Sequence, residues 1–143
     1  MIKPEDLRIG DLVMISHGCM FPKGTMCAVT EIHPDKEFGY KKGAFSLIAI
    51  NDNDDRSWGT WLCNVDGIPI TPEILKNNGF DMKDDSVVYA KRKVGLKPLP
   101  DNKGYQAGIG NRFFYLKIGD IQYVHELQHI LWVLGYDTEL KIK

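Results

Sequence analysis

The sequence lacks the features of a membrane protein, of a secreted protein and of a strongly basic nucleic-acid binder. No run approaches the roughly 20 apolar residues of a membrane-spanning helix. Residues 2–6 carry no apolar signal core. The formal net charge is −1, without the overall basic excess that is typical of nucleic-acid-binding domains. These absences predict a cytoplasmic protein that does not enter a membrane.

Cysteine is also scarce. The three cysteines are Cys19, Cys27 and Cys63. An odd count without a CxxC pair argues against a disulfide framework and against a zinc knuckle. We therefore predict three reduced thiols, as is usual in a cytoplasm.

The 143 residues are enough for one domain or two very small ones. We predict an α+β fold. An N-terminal antiparallel β unit spans residues 1–65, and a C-terminal unit spans residues 66–143 and runs helix, strands, helix, strand. Because each half is small, we expect the two halves to share one core.

The N-terminal unit begins with a turn signal, Gly10 and Asp11, before an apolar run. This opening resembles the first strand of small SH3-like barrels, so the unit can close as a small β-barrel. The predicted strands cover residues 12–15, 26–32, 44–50 and 60–65, with a loop at 33–39.

An acidic and amide-rich loop, residues 51–59, invites a calcium interpretation. An EF-hand loop needs glycine at its sixth position and glutamate at its twelfth. Counted from Asn51, these positions hold Arg56 and Leu62. We interpret the loop as a solvated hairpin tip, because Asn, Asp and Gly are the usual turn formers.

The C-terminal unit opens with a well-marked short helix. Thr71 is its expected N-cap, and Pro72 suits the first helical position. Gly79 suits the position just beyond its end. We expect Ile74 and Leu75 to face the core.

The rest of the C-terminal unit alternates strands and loops. We predict strands at 86–93, 112–118 and 138–142, a loop at 96–110 and a turn at 119–120. Two starts are open for the long helix that follows the turn. Asp120 could cap it, or residues 121–123 could form a short strand leading into it.

Residues 123–134 form the longest helical pattern in the sequence. At about 100° per residue, their apolar side chains fall within one arc, and Gly135 suits the position after the helix. His125, His129 and Trp132 fall on the opposite face, which we expect to be polar and partly exposed. The predicted core arc consists of Tyr123, Val124, Leu127, Ile130, Leu131 and Leu134.

Residues 125–129 read His-Glu-Leu-Gln-His, a formal match to the HExxH motif of zinc peptidases. In that motif the two histidines ligate zinc and the glutamate activates the bound water. A catalytic zinc usually has three protein ligands, and no third ligand stands at a suitable spacing. We interpret the match as accidental and predict no metal and no cofactor. The alternative is a zinc-dependent hydrolase with His125 and His129 as ligands and Glu126 as the base.

Lys91, Arg92 and Lys93 form a short basic cluster. It could contact a nucleic-acid backbone. A solvated strand edge protected by lysine is the favoured interpretation. Nearby residues that would extend the cluster are Lys97, Lys103, Tyr89 and Tyr105.

Three stretches, residues 4–13, 70–80 and 123–129, together carry a family resemblance. They are similar to an uncharacterised protein family of Bacteroidetes gut bacteria and their phages and mobile elements. The resemblance covers most of the chain and implies no activity. It further implies that asparagine is common at the position of His129, whereas histidine is usual at that of His125.

These observations favour a non-enzymatic accessory or binding protein of a phage or mobile element. Its partner would be a protein or a nucleic acid. The zinc-dependent hydrolase and a nucleic-acid-binding module that uses the lysine cluster are the alternatives. A bound-metal assay separates the first alternative from the rest, and the salt dependence of nucleic-acid binding separates the second.

Overall fold

The computed structural model describes residues 2–17, 22–38, 41–50, 57–59, 64–83, 88–91, 93–111 and 114–142. The chain divides into two compact units, Met1–Ile68 and Pro69–Lys143. Each unit contains one five-stranded antiparallel sheet, and the two α-helices belong to the second unit. The predicted α+β class with antiparallel strands is confirmed. A core shared between the two units stays a prediction.

The sheet of the N-terminal unit follows a single turn of 3₁₀ helix, Pro4–Asp6. Its strand order is β4-β3-β2-β1-β5, and each pair of neighbours is antiparallel. The sheet is open across the described residues, so the predicted barrel closure stays a prediction. The strands are β1 (Leu12–His17), β2 (Met26–Phe38), β3 (Lys41–Ala49), β4 (Ser57–Gly59) and β5 (Asn64–Gly67).

Alternate residues of these strands fill the core of the N-terminal unit. In β1, Val13 and Ile15 are buried while Met14 and Ser16 are half-buried, as expected for a strand with one face on a core. The predicted turn before β1 is confirmed, and Gly10 adopts a φ of 93° there. The buried cluster consists of Leu7, Val13, Ile15, Cys27, Val29, Leu47 and Val65.

Strand β2 is longer than predicted. The predicted loop at 33–39 is wrong for its described residues, since 33–38 belong to β2. The pairing of β2 with β3 shifts register between His33 and Glu37. This irregularity surrounds Pro34, which cannot donate a ladder hydrogen bond and is tolerated in sheets at such bulges. The proline therefore interrupts the pairing without ending the strand.

The C-terminal unit is a meander of five strands with a helix before it and a helix after it. Its sheet order is β10-β9-β8-β7-β6, and sequential strands are neighbours throughout. The helices are α1 (Pro72–Asn77) and α2 (Val124–Val133). The strands are β6 (Asp81–Lys83), β7 (Val88–Lys91), β8 (Val94–Pro98), β9 (Tyr105–Asn111) and β10 (Phe114–Ile121).

Helix α1 has the predicted ends. The Ile74 N–H donates to the Thr71 hydroxyl at 3.2 Å, which confirms the N-cap. At the other end, Gly79 takes a φ of 78°, and the Phe80 N–H donates to the Leu75 carbonyl at 2.9 Å. This bond satisfies a carbonyl that would otherwise be left open at the helix end. Ile74 and Leu75 are buried as predicted.

The loop predicted at 96–110 is wrong, because most of it forms β8 and β9. Only residues 99–104 turn, and the Leu99 N–H donates to the Gly104 carbonyl at 3.0 Å. Gly104 has a φ of 130°, and a Cβ atom there would overlap the carbonyl oxygen of Ile121. Its glycine is therefore required by one close approach and does not mark a long loop.

The C-terminal part of the unit differs from the prediction in two places. The turn predicted at 119–120 lies inside β10, as a register shift against β9 between Lys117 and Gly119. The strand predicted at 138–142 forms no ladder. The helix starts after a strand that reaches Ile121, so the Asp120 cap is wrong.

Neither helix in the described part of the chain has the length and apolar character needed to cross a membrane.

Replacing Thr71 tests the cap of α1. We expect Thr71→Ala to lower the free energy of unfolding by about 1 kcal/mol, because the Ile74 N–H loses its acceptor. Urea denaturation measures the loss. Thr71→Ser is the control, since it keeps the hydroxyl and should remain close to the wild type. An equal loss in both variants would show that the hydroxyl does not carry the effect.

Cys27 gives a pH-dependent prediction. Burial raises the pKa of its thiol from 9.0 to about 11, so the unfolded chain ionises at this position first. Its contribution to stability is complete below pH 9 and is lost as the pH rises through about 11. We expect the difference in unfolding free energy between wild type and Cys27→Ala to shrink over that interval. A difference that stays constant up to pH 11 would contradict this.

Candidate functional site

The HExxH segment lies on α2, as predicted. Tyr123 is the N-cap residue. At the other end Gly135 has a φ of 75°, and the Tyr136 N–H donates to the Leu131 carbonyl at 2.8 Å. The helix is therefore fixed at both ends, and the five residues of the motif fill its first one and a half turns.

Glu126 is used in starting the helix. Its Oε2 atom accepts hydrogen bonds from the Gln122 N–H at 2.7 Å and from the Tyr123 N–H at 2.8 Å. The second bond is the glutamate half of a capping box, in which a side chain at the third helical position reaches back to the N-cap amide. A carboxylate held by two main-chain amides has a structural role, and its charge also suits the positive end of the helix dipole.

His125 is buried, with 6% of its surface exposed, so its predicted place on a partly exposed face is wrong. Its ring stacks on Tyr123 with centroids 5.9 Å apart and an interplanar angle of 11°. Its ring also meets that of His129 edge to face at 5.8 Å. The two histidines do face each other at the i, i+4 spacing, and His129 is half-buried.

No third metal ligand is brought to this pair by the described residues. Within them, no group of three or more His, Cys, Asp or Glu side chains is placed to hold a metal ion. Of the two histidines upstream of the motif, His17 ends β1, and His33 lies within β2 and not in the predicted loop at 33–39. His33 Nε2 lies 3.0 Å from Glu31 Oε2. Glu139, the late carboxylate, is exposed.

The buried face of α2 is turned by about one position relative to the predicted arc. Val124, Leu127 and Leu131 are buried as predicted, but Leu134 is only half-buried. Gln128 is buried instead, with 3% of its surface exposed. A helix position that the periodicity assigns to a polar face can be buried when another segment of the chain covers it.

That covering segment is residues 136–142. The Gln128 Nε2–H donates to the Thr138 carbonyl at 3.0 Å. Asn78, buried at the end of α1, forms a bidentate contact with Lys141. Its Nδ2–H donates to the Lys141 carbonyl at 2.6 Å, and its Oδ1 accepts from the Lys141 N–H at 2.7 Å.

Asn78 also joins this segment to α1. Its Nδ2–H donates to the Ile74 carbonyl at 2.7 Å, in addition to the contact with Lys141. Sequence reasoning missed both amides. Neither Asn78, next to the helix-ending Gly79, nor Gln128, within the HExxH segment, carried a sequence signal for this role. The alternation of Leu140 and Ile142 was the one signal of a docked extended segment.

The residues of the basic cluster have different surroundings. Lys91 Nζ lies 6.0 Å from the ring centroid of Phe80, within the range of a cation–π contact. Lys93 is exposed in the turn between β7 and β8. Arg92 lies outside the described residues. Lys97 and Lys103 are also exposed.

The aromatic residues near this cluster do not present their rings to solvent. Tyr89 and Tyr105 are buried and meet edge to face, with ring centroids 6.0 Å apart. Burial raises the pKa of Tyr105, and the neighbouring Tyr89 raises it further. Neither ring is placed to stack on an exposed base.

Several other predicted features fall where the structure gives no description. Residues 51–56 of the acidic loop lie outside the described residues, as do Cys19 and Cys63. Cys27 is a free, buried thiol, in agreement with the predicted reduced state.

Among the described residues of the C-terminal unit, large apolar side chains are exposed at three places, one of them Met82 on β6. Trp132 and Val133, in the last turn of α2, have 61% and 68% of their surface exposed. Leu116 and Ile118 are exposed on β10, which is an outer strand of the described sheet. Tryptophan is enriched at the energetic centres of protein interfaces.

Glu126 provides a direct test of the structural role. We expect Glu126→Ala to lower the free energy of unfolding by about 1 kcal/mol, because two amides at the start of α2 lose their acceptor. Glu126→Gln keeps an acceptor oxygen and should cost less. Chemical denaturation measures both. Unchanged stability in Glu126→Ala would contradict the capping role.

No protein-family model, curated protein or solved structure matches this chain. The resemblance to a Bacteroidetes and phage family therefore stays a prediction. The described features that bear on function are the hydrogen-bonded carboxylate of Glu126, the buried amides of Asn78 and Gln128, and the exposed Trp132.

Proposed function

We propose that this chain is a non-enzymatic binding protein that holds a polypeptide partner on its C-terminal unit. Because the sequence resembles proteins of phages and mobile elements, we propose that it serves as an accessory protein of such an element. The observation that carries it is the exposure of Trp132 beside Val133 at the end of α2.

Trp132 favours a polypeptide partner because of what its side chain offers. A tryptophan ring buries a large apolar area on contact and also has an N–H to donate. With 61% of its surface exposed, Trp132 leaves most of this apolar area in contact with water. The neighbouring Val133 extends the apolar surface along the helix. Partner binding would bury both.

The chemistry of α2 supports binding over hydrolysis. A peptidase glutamate has to face a metal-bound water, whereas the Glu126 carboxylate faces the amides of Gln122 and Tyr123. The hydrolase alternative would require this carboxylate to leave the helix start. A metal-binding assay tests the hydrolase alternative.

We also propose that the N-terminal unit is a small SH3-like barrel. Two features support this. The order β4-β3-β2-β1-β5 leaves β4 and β5 as the strands whose pairing would close the sheet. The 13-residue β2 carries two register shifts against β3, and such bulges bend a strand as closure requires. An experimental distance between β4 and β5 would test it.

The nucleic-acid alternative has weaker support. Single-stranded nucleic-acid sites combine basic grooves with exposed aromatic rings, and the two tyrosines near Lys91 and Lys93 are buried. Binding that weakens steeply with salt would restore this alternative.

Panning of a random peptide library against the immobilised full-length protein tests the proposed function. We expect enrichment of peptides whose affinity falls at least about tenfold in Trp132→Ala, because truncating a central tryptophan removes much of the contact energy. Fluorescence anisotropy with the enriched peptides measures the affinity. Ile9→Ala, another exposed apolar residue in the N-terminal unit, is the matched control and should bind like the wild type.

Two results would contradict the proposal. One is the absence of any enriched peptide after repeated rounds. The other is equal binding of the enriched peptides to wild type and Trp132→Ala.

A further inference from the structure

Residues 136–142 run across the C-terminal unit as an extended segment. Burial alternates along it: Asp137, Glu139 and Lys141 are exposed, while Ile142 is buried. This is the pattern of a strand with one face on a core. The segment nevertheless belongs to no sheet.

Side-chain amides take the place of a neighbouring strand. Asn78 accepts from the N–H and donates to the carbonyl of the same residue, Lys141. An adjacent antiparallel strand makes this same double exchange with its partner residue. Gln128 donates to a second main-chain carbonyl of the segment, at Thr138.

These hydrogen bonds are made to main-chain atoms, which every peptide possesses. The Asn78 amide also donates to the Ile74 carbonyl of α1 at 2.7 Å, so this side chain keeps one partner within the unit when the segment leaves. Side-chain selectivity is expected to be greatest at the position of Ile142, whose side chain is buried, and smaller at positions 136, 138 and 140, which are half-buried. The side chains at 137, 139 and 141 are exposed, so we expect no selectivity at these positions.

The attachment of the segment is local and lacks a ladder. Within the described residues, no main-chain to main-chain hydrogen bond joins residues 137–142 to the rest of the unit. Gly135, at a φ of 75°, lies at the junction with α2. The segment can therefore leave by exchanging a few side-chain contacts while the sheet and both helices keep their own hydrogen bonds.

We propose that Asn78 and Gln128 form a binding site for an extended peptide with an aliphatic anchor residue, and that residues 136–142 occupy it as an internal competitor. This inference rests on the proposed polypeptide-binding function and names its site. Trp132 lies one turn beyond Gln128 on α2, at the i, i+4 spacing that makes helix residues neighbours. Trp132 stays exposed while residues 136–142 occupy the site, so only a peptide that extends beyond the length of this segment would cover the ring.

The test uses the full-length protein and a labelled peptide with the sequence of residues 136–142, blocked at both ends. Ile142→Asp removes the anchor of the internal segment, because a carboxylate is costly in an apolar site. We expect saturable binding of the peptide to Ile142→Asp, measured by fluorescence anisotropy. Wild type should bind at least about tenfold more weakly, since its own segment competes at a high effective concentration.

Matched controls separate recognition of the main chain from general attraction. In the Ile142→Asp protein, Gln128→Ala should weaken peptide binding, whereas Gln122→Ala, at an exposed glutamine side chain, should not. A peptide with the Ile142→Asp change should not bind. A peptide with Asp137→Asn and Glu139→Gln should bind as well as the parent, because those side chains are exposed.

Several outcomes would overturn the inference. One is the absence of saturable binding to a folded Ile142→Asp protein, with folding checked by circular dichroism and thermal unfolding. Another is equal affinity for wild type and Ile142→Asp, which would place the peptide elsewhere. A wild-type dimer that becomes monomeric in Ile142→Asp would also overturn it, because the occupant would then be the segment of a second copy.

Hydrogen exchange on the wild type keeps the inference testable if Ile142→Asp does not fold. The Lys141 amide, which donates to Asn78, should exchange on the order of 100-fold faster than the amides of the inner strand β9, because the segment opens locally. Exchange of Lys141 only by global unfolding would contradict the inference.

The two proposals can fail separately. Peptides from the library that bind wild type and Ile142→Asp equally, and that lose affinity in Trp132→Ala, would leave the binding function in place and remove the Asn78–Gln128 site. The absence of binding by library peptides and by the 136–142 peptide would remove both.

Discussion

The carboxylate of Glu126 holds the two main-chain amides that join β10 to α2. Both amides, of Gln122 and Tyr123, precede the first helical hydrogen bonds, so they need an acceptor from outside the helix ladder. One carboxylate satisfies both, and it thereby fixes the point at which the last strand becomes a helix. The direction of α2 depends on this junction. So do the positions of His125, which is stacked on Tyr123, and of Trp132 at the far end.

Buried polar groups organise the C-terminal unit in the same way. A buried amide is costly unless it is hydrogen-bonded, and Asn78 meets this condition with three bonds to α1 and to Lys141. The same side chain thus ends a helix and secures a segment more than sixty residues away in sequence. Gln128, on α2, secures the same segment through Thr138. Together they hold the main chain of residues 138 and 141 in place, on the unit whose exposed tryptophan we propose as the contact for a partner.

Local signals predicted the parts of the fold that depend on local chemistry. Thr71 and Gly79 mark the ends of α1 because capping involves only neighbouring residues. Long-range contacts decided the parts that were predicted wrongly. Gly104 suggested a loop, yet it is needed where two strands approach closely. His125 fell on a polar arc, yet it is buried by contacts that helical periodicity does not encode. The HExxH match had the right spacing, but a sequence motif does not specify where a side chain points. The role of Glu126 follows from its carboxylate, which faces the amides of Gln122 and Tyr123.

Zinc stoichiometry tests most directly whether the motif is structural. The protein would be purified free of metal, incubated with zinc, dialysed and examined by elemental analysis, with His129→Asn treated in parallel. We expect no stoichiometric zinc in either protein, because the described residues bring no third ligand to the two histidines. One tightly held zinc per wild-type chain, absent from His129→Asn and accompanied by hydrolytic activity, would contradict this expectation.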